Sequence, residues 1–234
     1  MGYIPIFLAV GGKPCLVVGS GEVAERKVSA LLEAGAAVTI VSPMLHGHLA
    51  AIARRGGVRY LARRWRRGEM AGFALVYAAS DDRALQREIA AEAGELGIPI
   101  NVADAPELCS FIAPSLIRRG DLQIAISTGG ASPALAALLR KELEPRFGPE
   151  YVRLLDVMRA ARRWLMAARI DSDDRARRLR ALANSQLREC LASGDDRAAD
   201  AILEEHLGAT LANLGMVSQR DGAGINGAKM NGTN

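Results

Sequence analysis

The stretch that decides the fold is Cys15-Leu-Val-Val-Gly-Ser-Gly-Glu-Val-Ala24, close to the start of the chain. Its first four residues form a strand-sized apolar run, and the spacing Gly19-x-Gly21-x-x-Ala24 follows at once. In such a pattern Gly19 permits a tight turn, Gly21 lets a pyrophosphate approach the backbone, and the small third residue allows close helix–strand packing. The N-terminus of the helix offers unpaired N–H groups to phosphate. The stretch therefore predicts a strand–turn–helix unit that binds a dinucleotide.

The rest of the first half alternates apolar strands with segments of helix length. We predict one helix from about Val23 to Ala34 and another that Ser80-Asp81-Asp82 caps and Gly97 ends. Further strands are predicted at residues 37–41, 58–61, 74–78 and 99–102. Strands separated by helices imply parallel β-α-β units. The predicted fold class is therefore α/β, a Rossmann-type doubly wound parallel sheet.

The pattern changes after Phe111, and three further regions are predicted. A strand over Leu122–Ser127, a turn of small residues and a helix over Ala134–Leu143 follow, and only helices are predicted from Glu150 to about Leu211. We divide the chain into a Rossmann domain (1–113), a dimerisation segment (114–149), a helical C-terminal domain (150–216) and a Gly- and Asn-rich tail (217–234) expected to be disordered.

The dimerisation segment carries an apolar helix face but is too small to form its own core. The leucines of that face are Leu135, Leu138, Leu139 and Leu143. We expect this face to be buried against a twin chain, which gives a homodimer.

The charge distribution and the low aromatic content indicate which kinds of partner the protein can bind. The net charge is +4, and the stretch Arg54–Arg67 holds seven arginines and no acidic residue. Such a run is either a solvated surface or an electropositive face for an anionic partner. Aromatic residues make up 4% of the chain and do not interleave with the basic stretches, so a nucleic-acid partner is not expected.

Neither a membrane segment nor a metal site is predicted. No apolar run approaches the roughly 20 residues of a membrane helix, and the N-terminus has no export signal. The three cysteines are far apart, which suits a reducing cytoplasm and matches no metal-binding spacing. His46 and His48 lack a third ligand and are interpreted as surface residues.

The end of the second strand bears on the choice of cofactor. An acidic residue for the ribose is expected there, but Ser42-Pro43-Met44 stands in its place. The residues alone leave NAD and NADP open. Because no arginine lies beside this strand end to bind a 2′-phosphate, the pattern favours NAD.

Six blocks in order across residues 3–143 resemble one family. They are Tyr3–Phe7 with Cys15–Lys27, Ala78–Asp82, Asn101–Pro106, Ser110–Pro114, Ser127–Pro133 and Leu138–Leu143. Together they are similar to the N-terminal module of siroheme synthase and its stand-alone relatives, the precorrin-2 dehydrogenases, some of which are also sirohydrochlorin ferrochelatases. Because no methyltransferase sequence follows in the 234 residues, we expect the stand-alone form.

The resemblance implies roles for individual residues. The NAD pyrophosphate and the adjacent ribose would be held by Gly19, Ser20, Gly21, Glu22 and Val23. Pro43 and Met44 would lie against the adenosine, and Asp104 matches the shared acid–base residue. Ser127, Thr128 and Gly129 match the loop on the substrate side, with Thr128 where serine is frequent.

Asp104 makes chemical sense as a base. Dehydrogenation gives a hydride to the nicotinamide and a proton to a base, and iron insertion must strip protons from pyrrole nitrogens. One carboxylate near the macrocycle serves both needs. The alternative is a helix cap, since Asp104 stands two residues before Pro106. The spacing alone favours neither the catalytic role nor the cap, and the resemblance favours the catalytic role.

The function implied by the resemblance is NAD-dependent oxidation of precorrin-2 to sirohydrochlorin in the cytoplasm, with insertion of ferrous iron as a second activity. Two alternatives stay open: a dehydrogenase without chelatase activity and a non-catalytic NAD-sensing domain. The second explains the glycine turn but not the blocks at Asn101–Asp104 and Ser127–Pro133. Arg118 and Arg119 are candidates to bind the carboxylates of precorrin-2.

Overall fold

The computed structural model describes residues 2–45 and 47–217. Apart from Val217, the tail predicted to be disordered lies outside these residues, and so does His46. The chain forms two compact units. The first contains the residues up to Pro114 together with Thr128–Ser132, and the second contains Ser115–Ser127 and the residues from Pro133 onward.

The first unit is a five-stranded sheet in the order β3-β2-β1-β4-β5 with every pair parallel. Its strands are β1 (Pro14–Val18), β2 (Ala37–Ser42), β3 (Arg59–Ala62), β4 (Leu75–Ala78) and β5 (Ile100–Val102). The helices are α1 (Glu22–Glu33), α2 (Gly47–Arg54) and α3 (Arg83–Leu96). The predicted doubly wound parallel sheet is confirmed.

The central strand shows why the chain folds this way. Cys15–Val18 of β1 is buried throughout, as expected of a parallel strand with both faces covered. Because successive side chains of a strand point to opposite faces, Leu16 packs in one core cluster and Val17 in another. Ile89 of α3 packs on the first face and Val28 of α1 on the second.

An extended segment, residues 63–74, connects β3 to β4 and packs Trp65 and Met70 into the core. The buried carboxylate of Glu92 on α3 holds this segment, because it accepts hydrogen bonds from the backbone N–H groups of Gly68 at 2.9 Å and of Met70 at 3.0 Å. The acid replaces the backbone partners that these amides would have in a helix.

Part of the arginine run has local partners. Arg63 lies 2.7 Å from Glu69, and Arg67 lies 2.5 Å from Glu95 in an exposed pair. These two arginines stabilise the surface of the first unit, in agreement with the solvated-surface interpretation for this part of the run.

The second unit contains a hairpin and five helices among the described residues. Strands β6 (Ser115–Arg119) and β7 (Leu122–Ile126) pair antiparallel around Gly120, whose φ is +56°. The helices are α4 (Pro133–Leu143), α5 (Glu150–Ala167), α6 (Ser172–Ala183), α7 (Leu187–Ser193) and α8 (Asp196–Leu207). Strand β6 was not predicted, because Ser-Leu-Ile-Arg-Arg lacks an alternating pattern and gains its partner only in the hairpin.

The helices of the second unit enclose a core of their own. Val157 and Leu165 of α5 pack with Leu182, Leu191 and Leu203 from the following helices, all of them buried. Within residues 2–45 and 47–217, no helix is both long and apolar enough to span a bilayer.

Candidate functional site

The turn after β1 is built so that only glycine fits at its first position. Gly19 has a φ of +121°, and its N–H donates to the carbonyl of Val41 at 3.0 Å. A Cβ atom here would overlap the carbonyl oxygen of Ala79 and lie 2.6 Å from its carbonyl carbon. Since Ala79 N–H in turn donates to Val18 O at 2.7 Å, the turn is fixed against the ends of both neighbouring strands.

Gly21 differs from Gly19 in a way that points to a ligand. It caps α1 with φ −73° and ψ −177°, a conformation open to any residue, and a Cβ atom would meet nothing within 4 Å. The fold itself therefore does not require glycine at this position. No side chain caps the helix, so the first N–H groups of α1 face this open space unpaired within the helix. This cradle fits the pyrophosphate of a dinucleotide.

The space belongs to a cleft of about 450 Å³ at the carboxyl ends of the strands. Its walls are formed by Gly19–Val23, Ser42, Ala79–Asp81, Arg83, Gln86, Ala103 and Asp104. The strand order reverses between β1 and β4, and ligands of open α/β sheets bind at such a switch point. All five predicted residues of the glycine turn and Asp104 thus meet in one cleft.

The end of β2 supplies a rigid wall on one side of the cleft. Ser42 is buried, and its hydroxyl donates to the carbonyl of Met44 at 2.9 Å. Tyr60 Oη donates to the carbonyl of Ser42 at 3.1 Å and fixes the same turn. Pro43 and Met44 are exposed beside this wall, with Met44 59% accessible, and are not among the residues that line the cleft.

Asp104 follows β5 in a conformation that few non-glycine residues adopt, with φ +54°. The surrounding backbone is fixed by α3, because Arg83 Nη1 donates to Asp104 O at 3.0 Å and Gln86 Nε2 donates to Ala103 O at 3.1 Å. Gln86 also donates to Ser80 O at 2.6 Å, which ties the ends of β4 and β5 together. Strain of this kind concentrates at functional sites.

The side chain of Asp104 does not cap a helix. The short 3-10 helix Pro106–Leu108 has Ala105 at its N-cap and no side-chain cap hydrogen bond. Among the described residues the exposed carboxylate of Asp104 has no hydrogen-bond partner and stands in the cleft wall. The helix-cap alternative is therefore wrong, because the backbone turns at Asp104 before the helix begins.

The predicted loop Ser127-Thr128-Gly129 forms a turn held by its own residues. Thr128 Oγ1 donates to Ser132 O and accepts from Ser132 N–H, both at 3.0 Å. Thr128 and Gly129 belong to the first unit and Ser127 to the second, and none of them lines the cleft described above.

Sequence reasoning missed several residues of the cleft wall, namely Ser42, Ala79–Asp81, Arg83 and Gln86. The sequence did contain a signal for Ala79–Asp81. The block Ala78–Asp82 ends the strand next to β1, where the strand order reverses. Buried Gln86 had no such signal, because its role depends on the carbonyl groups that the fold brings to it.

A parallel sheet of this order with a glycine cradle at its switch point defines a dinucleotide-binding protein. Residues 6–115 match a family described as NAD(P)-binding, which confirms that the cofactor is a nicotinamide dinucleotide. Residues 119–145 match the family described as the sirohaem biosynthesis protein central segment. The resemblance to the siroheme synthase N-terminal module that the sequence blocks predicted is confirmed by these two matches and by the relatives below.

Siroheme synthases of several bacteria are among the relatives of this chain. That of Thioalkalivibrio sulfidiphilus is 41% identical over 207 residues, which is 88% of this chain and 42% of the relative. That of Methylobacillus flagellatus is 48% identical over 151 residues, covering 64% of this chain and 32% of the relative. That of Pseudomonas aeruginosa strain PAO1 is 37% identical over 214 residues, covering 92% of this chain and 46% of the relative. The chain thus spans less than half the length of these relatives.

A solved structure shares the fold. The structure of SirC, a precorrin-2 dehydrogenase, matches with a TM-score of 0.72 and 21% sequence identity, over 88% of this chain and 100% of that chain. At this identity the match supports the architecture, with its parallel sheet and additional helices.

Proposed function

We propose that this protein is an NAD-dependent precorrin-2 dehydrogenase, which oxidises precorrin-2 to sirohydrochlorin in siroheme biosynthesis. The observation that carries the proposal is the unpartnered carboxylate of Asp104 in the wall of the dinucleotide cleft. Similarity to siroheme synthases supports the choice of substrate. The three cysteines, all free, are consistent with the reducing cytoplasm that we propose as its location.

In this proposal each part of the reaction is carried out by one group. Bound NAD supplies the acceptor for the hydride that leaves a carbon of precorrin-2. Asp104 accepts the proton released in the same oxidation, which balances the loss of two hydrogens from the macrocycle. The glycine turn holds the pyrophosphate, and Glu22 provides a carboxylate for the adjacent ribose. Ser42 lines the cleft, and the adenosine would lie on its side, with Pro43 and Met44 next to it.

The charges of the cleft support NAD over NADP. Glu22, Asp81 and Asp104 line it with carboxylates, and its one arginine, Arg83, directs Nη1 to the carbonyl of Asp104 and to Gln86 Oε1. A 2′-phosphate would bring two further negative charges into a cleft that is lined by three carboxylates and one arginine.

We propose that residues 114–149 act as a dimerisation segment between the Rossmann domain (1–113) and the helical domain (150–216). The hairpin β6–β7 has only two strands, and an isolated two-stranded hairpin is marginally stable in water. Leu116, Leu135 and Leu138 are exposed on this segment, with Leu138 51% accessible. A second copy of the chain would cover them, and light scattering at micromolar concentration tests for the homodimer.

Ferrous iron insertion into sirohydrochlorin is the second candidate activity. The same free carboxylate of Asp104 favours it, since the metal can enter only as the pyrrole protons leave. Iron is the substrate of this step. The test is anaerobic incubation of the protein with sirohydrochlorin and ferrous iron, which changes the absorbance spectrum when iron is inserted.

Anaerobic oxidation of precorrin-2 with NAD, followed by absorbance, tests the main proposal. Asp104→Asn is the informative variant, because asparagine tolerates the positive φ and matches the shape of aspartate. Turnover should fall by about 10²–10⁴-fold with NAD affinity retained. Glu107→Gln, which removes an exposed carboxylate three residues further along the chain and outside the cleft wall, is the control and should stay within a few fold of the parent. A parent that binds NAD but oxidises no precorrin-2 would favour the NAD-sensing alternative.

A further inference from the structure

A lysine of α1 lies one helical turn beyond the dinucleotide cleft. Val23 lines the cleft, and Lys27 is four residues further on, so both side chains share one face of the helix. The Lys27 ammonium lies 4.9 Å from the centroid of the Tyr77 ring on β4. The lysine is therefore directed onto the sheet, toward the strands whose ends form the cleft.

The surroundings of Lys27 are aromatic rings, an amide group and the thiol of Cys109. Phe111 packs edge-on against Tyr77, with ring centroids 5.7 Å apart and planes at 71°. On the adjacent strand, Asn101 Nδ2 donates to the carbonyl of Phe111 at 3.1 Å. Asn101 pairs in register with Tyr77 and precedes Asp104 by one short turn of chain.

The charge of Lys27 is poorly compensated within the first unit. Burial lowers the pKa of its ammonium and the neighbouring Arg26 lowers it further, while Cys109 raises it by a smaller amount. Among the described residues no carboxylate forms an ion pair with it. The face of one aromatic ring compensates only part of the hydration that a half-buried ammonium loses.

We propose that Lys27 is a positioning residue that receives a carboxylate of the anionic substrate, next to the dinucleotide cleft. The assignment rests on the proposed function only for the identity of that substrate, a tetrapyrrole polycarboxylate. A carboxylate salt-bridged to Lys27 would orient the macrocycle over Tyr77 and Phe111, toward the edge of the sheet that holds Asp104. The ammonium neither accepts nor donates a proton in the reaction.

Lys27→Met separates this role from a structural one, because methionine keeps the length and apolar packing of the side chain and removes the charge. We expect KM for precorrin-2 to rise by about 10- to 100-fold, the loss of one charge-assisted hydrogen bond, with kcat within about threefold. KM for NAD should not change. Lys27→Arg should restore most of the affinity, and Lys13→Met, at an exposed lysine, should behave as the parent.

Equilibrium binding of sirohydrochlorin, followed by fluorescence quenching of the protein, gives a readout independent of turnover. Lys27→Met should weaken this binding by the same factor and leave Tm within about 2 °C. If the variant binds sirohydrochlorin and precorrin-2 as the parent does, or if KM for NAD rises instead, the assignment of Lys27 is wrong. If the parent itself binds no tetrapyrrole, it is the proposed function that fails.

Discussion

Alanine should destabilise the protein at one glycine of the dinucleotide turn and have little effect at the other. Gly19→Ala should destabilise the protein, because a Cβ atom overlaps the Ala79 carbonyl and φ is +121°. The left-handed conformation costs about 1–2 kcal/mol and the overlap about 1–3 kcal/mol, so we expect a loss of roughly 2–5 kcal/mol. Gly21→Ala meets neither obstacle and should change the stability by less than about 1 kcal/mol.

Gly21→Asp then tests the ligand assigned to the open space. The added carboxylate would stand where the pyrophosphate is expected. Two unit charges about 4 Å apart repel by about 4 kcal/mol at an effective dielectric constant of 20, which is roughly a 10³-fold loss of affinity. Gly94→Asp introduces the same side chain on α3, at a position where a Cβ atom also meets nothing within 4 Å, and serves as the control.

Calorimetric titration with NAD and thermal unfolding on the same preparations measure both quantities. We expect Gly21→Asp to fold normally and bind NAD too weakly to detect, while Gly94→Asp binds like the parent. Unchanged NAD affinity in a folded Gly21→Asp protein would refute the cradle in front of α1. A stable Gly19→Ala protein would refute the close packing of the turn against β4.

Three further outcomes follow from the structure. Burial raises the pKa of Tyr77 to about 12, so its contribution to stability is complete below its unfolded-state value near 10 and is lost as pH rises toward 12. This amounts to about 2–3 kcal/mol, and denaturant unfolding between pH 9 and 12 should lose that dependence in Tyr77→Phe but not in the parent. Glu92→Ala leaves the buried N–H group of Met70 and the exposed one of Gly68 without their acceptor, and it should lower the unfolding free energy by roughly 1–3 kcal/mol. Glu88→Ala, at an exposed position of the same helix, should change it by less than about 0.5 kcal/mol, and equal effects would contradict the role of Glu92. Leu138→Glu should shift the mass from light scattering from dimer to monomer, and a parent that is already monomeric would refute the dimer.

Much of the first unit was predictable because its determinants are local. The apolar run of β1, the spacing of the glycines and the cap at Asp82 each act within a few residues. Asp82 accepts from Ala84 N–H and Leu85 N–H at 3.1 Å, and Gly97 ends α3 with φ +65°, as predicted. Strand β6 was not predicted because it is stabilised by pairing with β7, and the residues of β6 alone do not indicate that partner.

The sequence by itself determined the class of this protein: a parallel sheet, a dinucleotide turn and the family blocks that include Asp104. These follow from residue types at short spacings, where backbone geometry and hydrophobic periodicity act directly. Only the tertiary structure decided that Gly19 is required by Ala79 while Gly21 is not required by the fold, and that Asp104 does not cap a helix. It alone brought Lys27 onto Tyr77 and Gln86 onto the carbonyls of Ser80 and Ala103. Such contacts join residues distant in sequence, because parallel strands are connected through helices and their ends meet only when the sheet has formed.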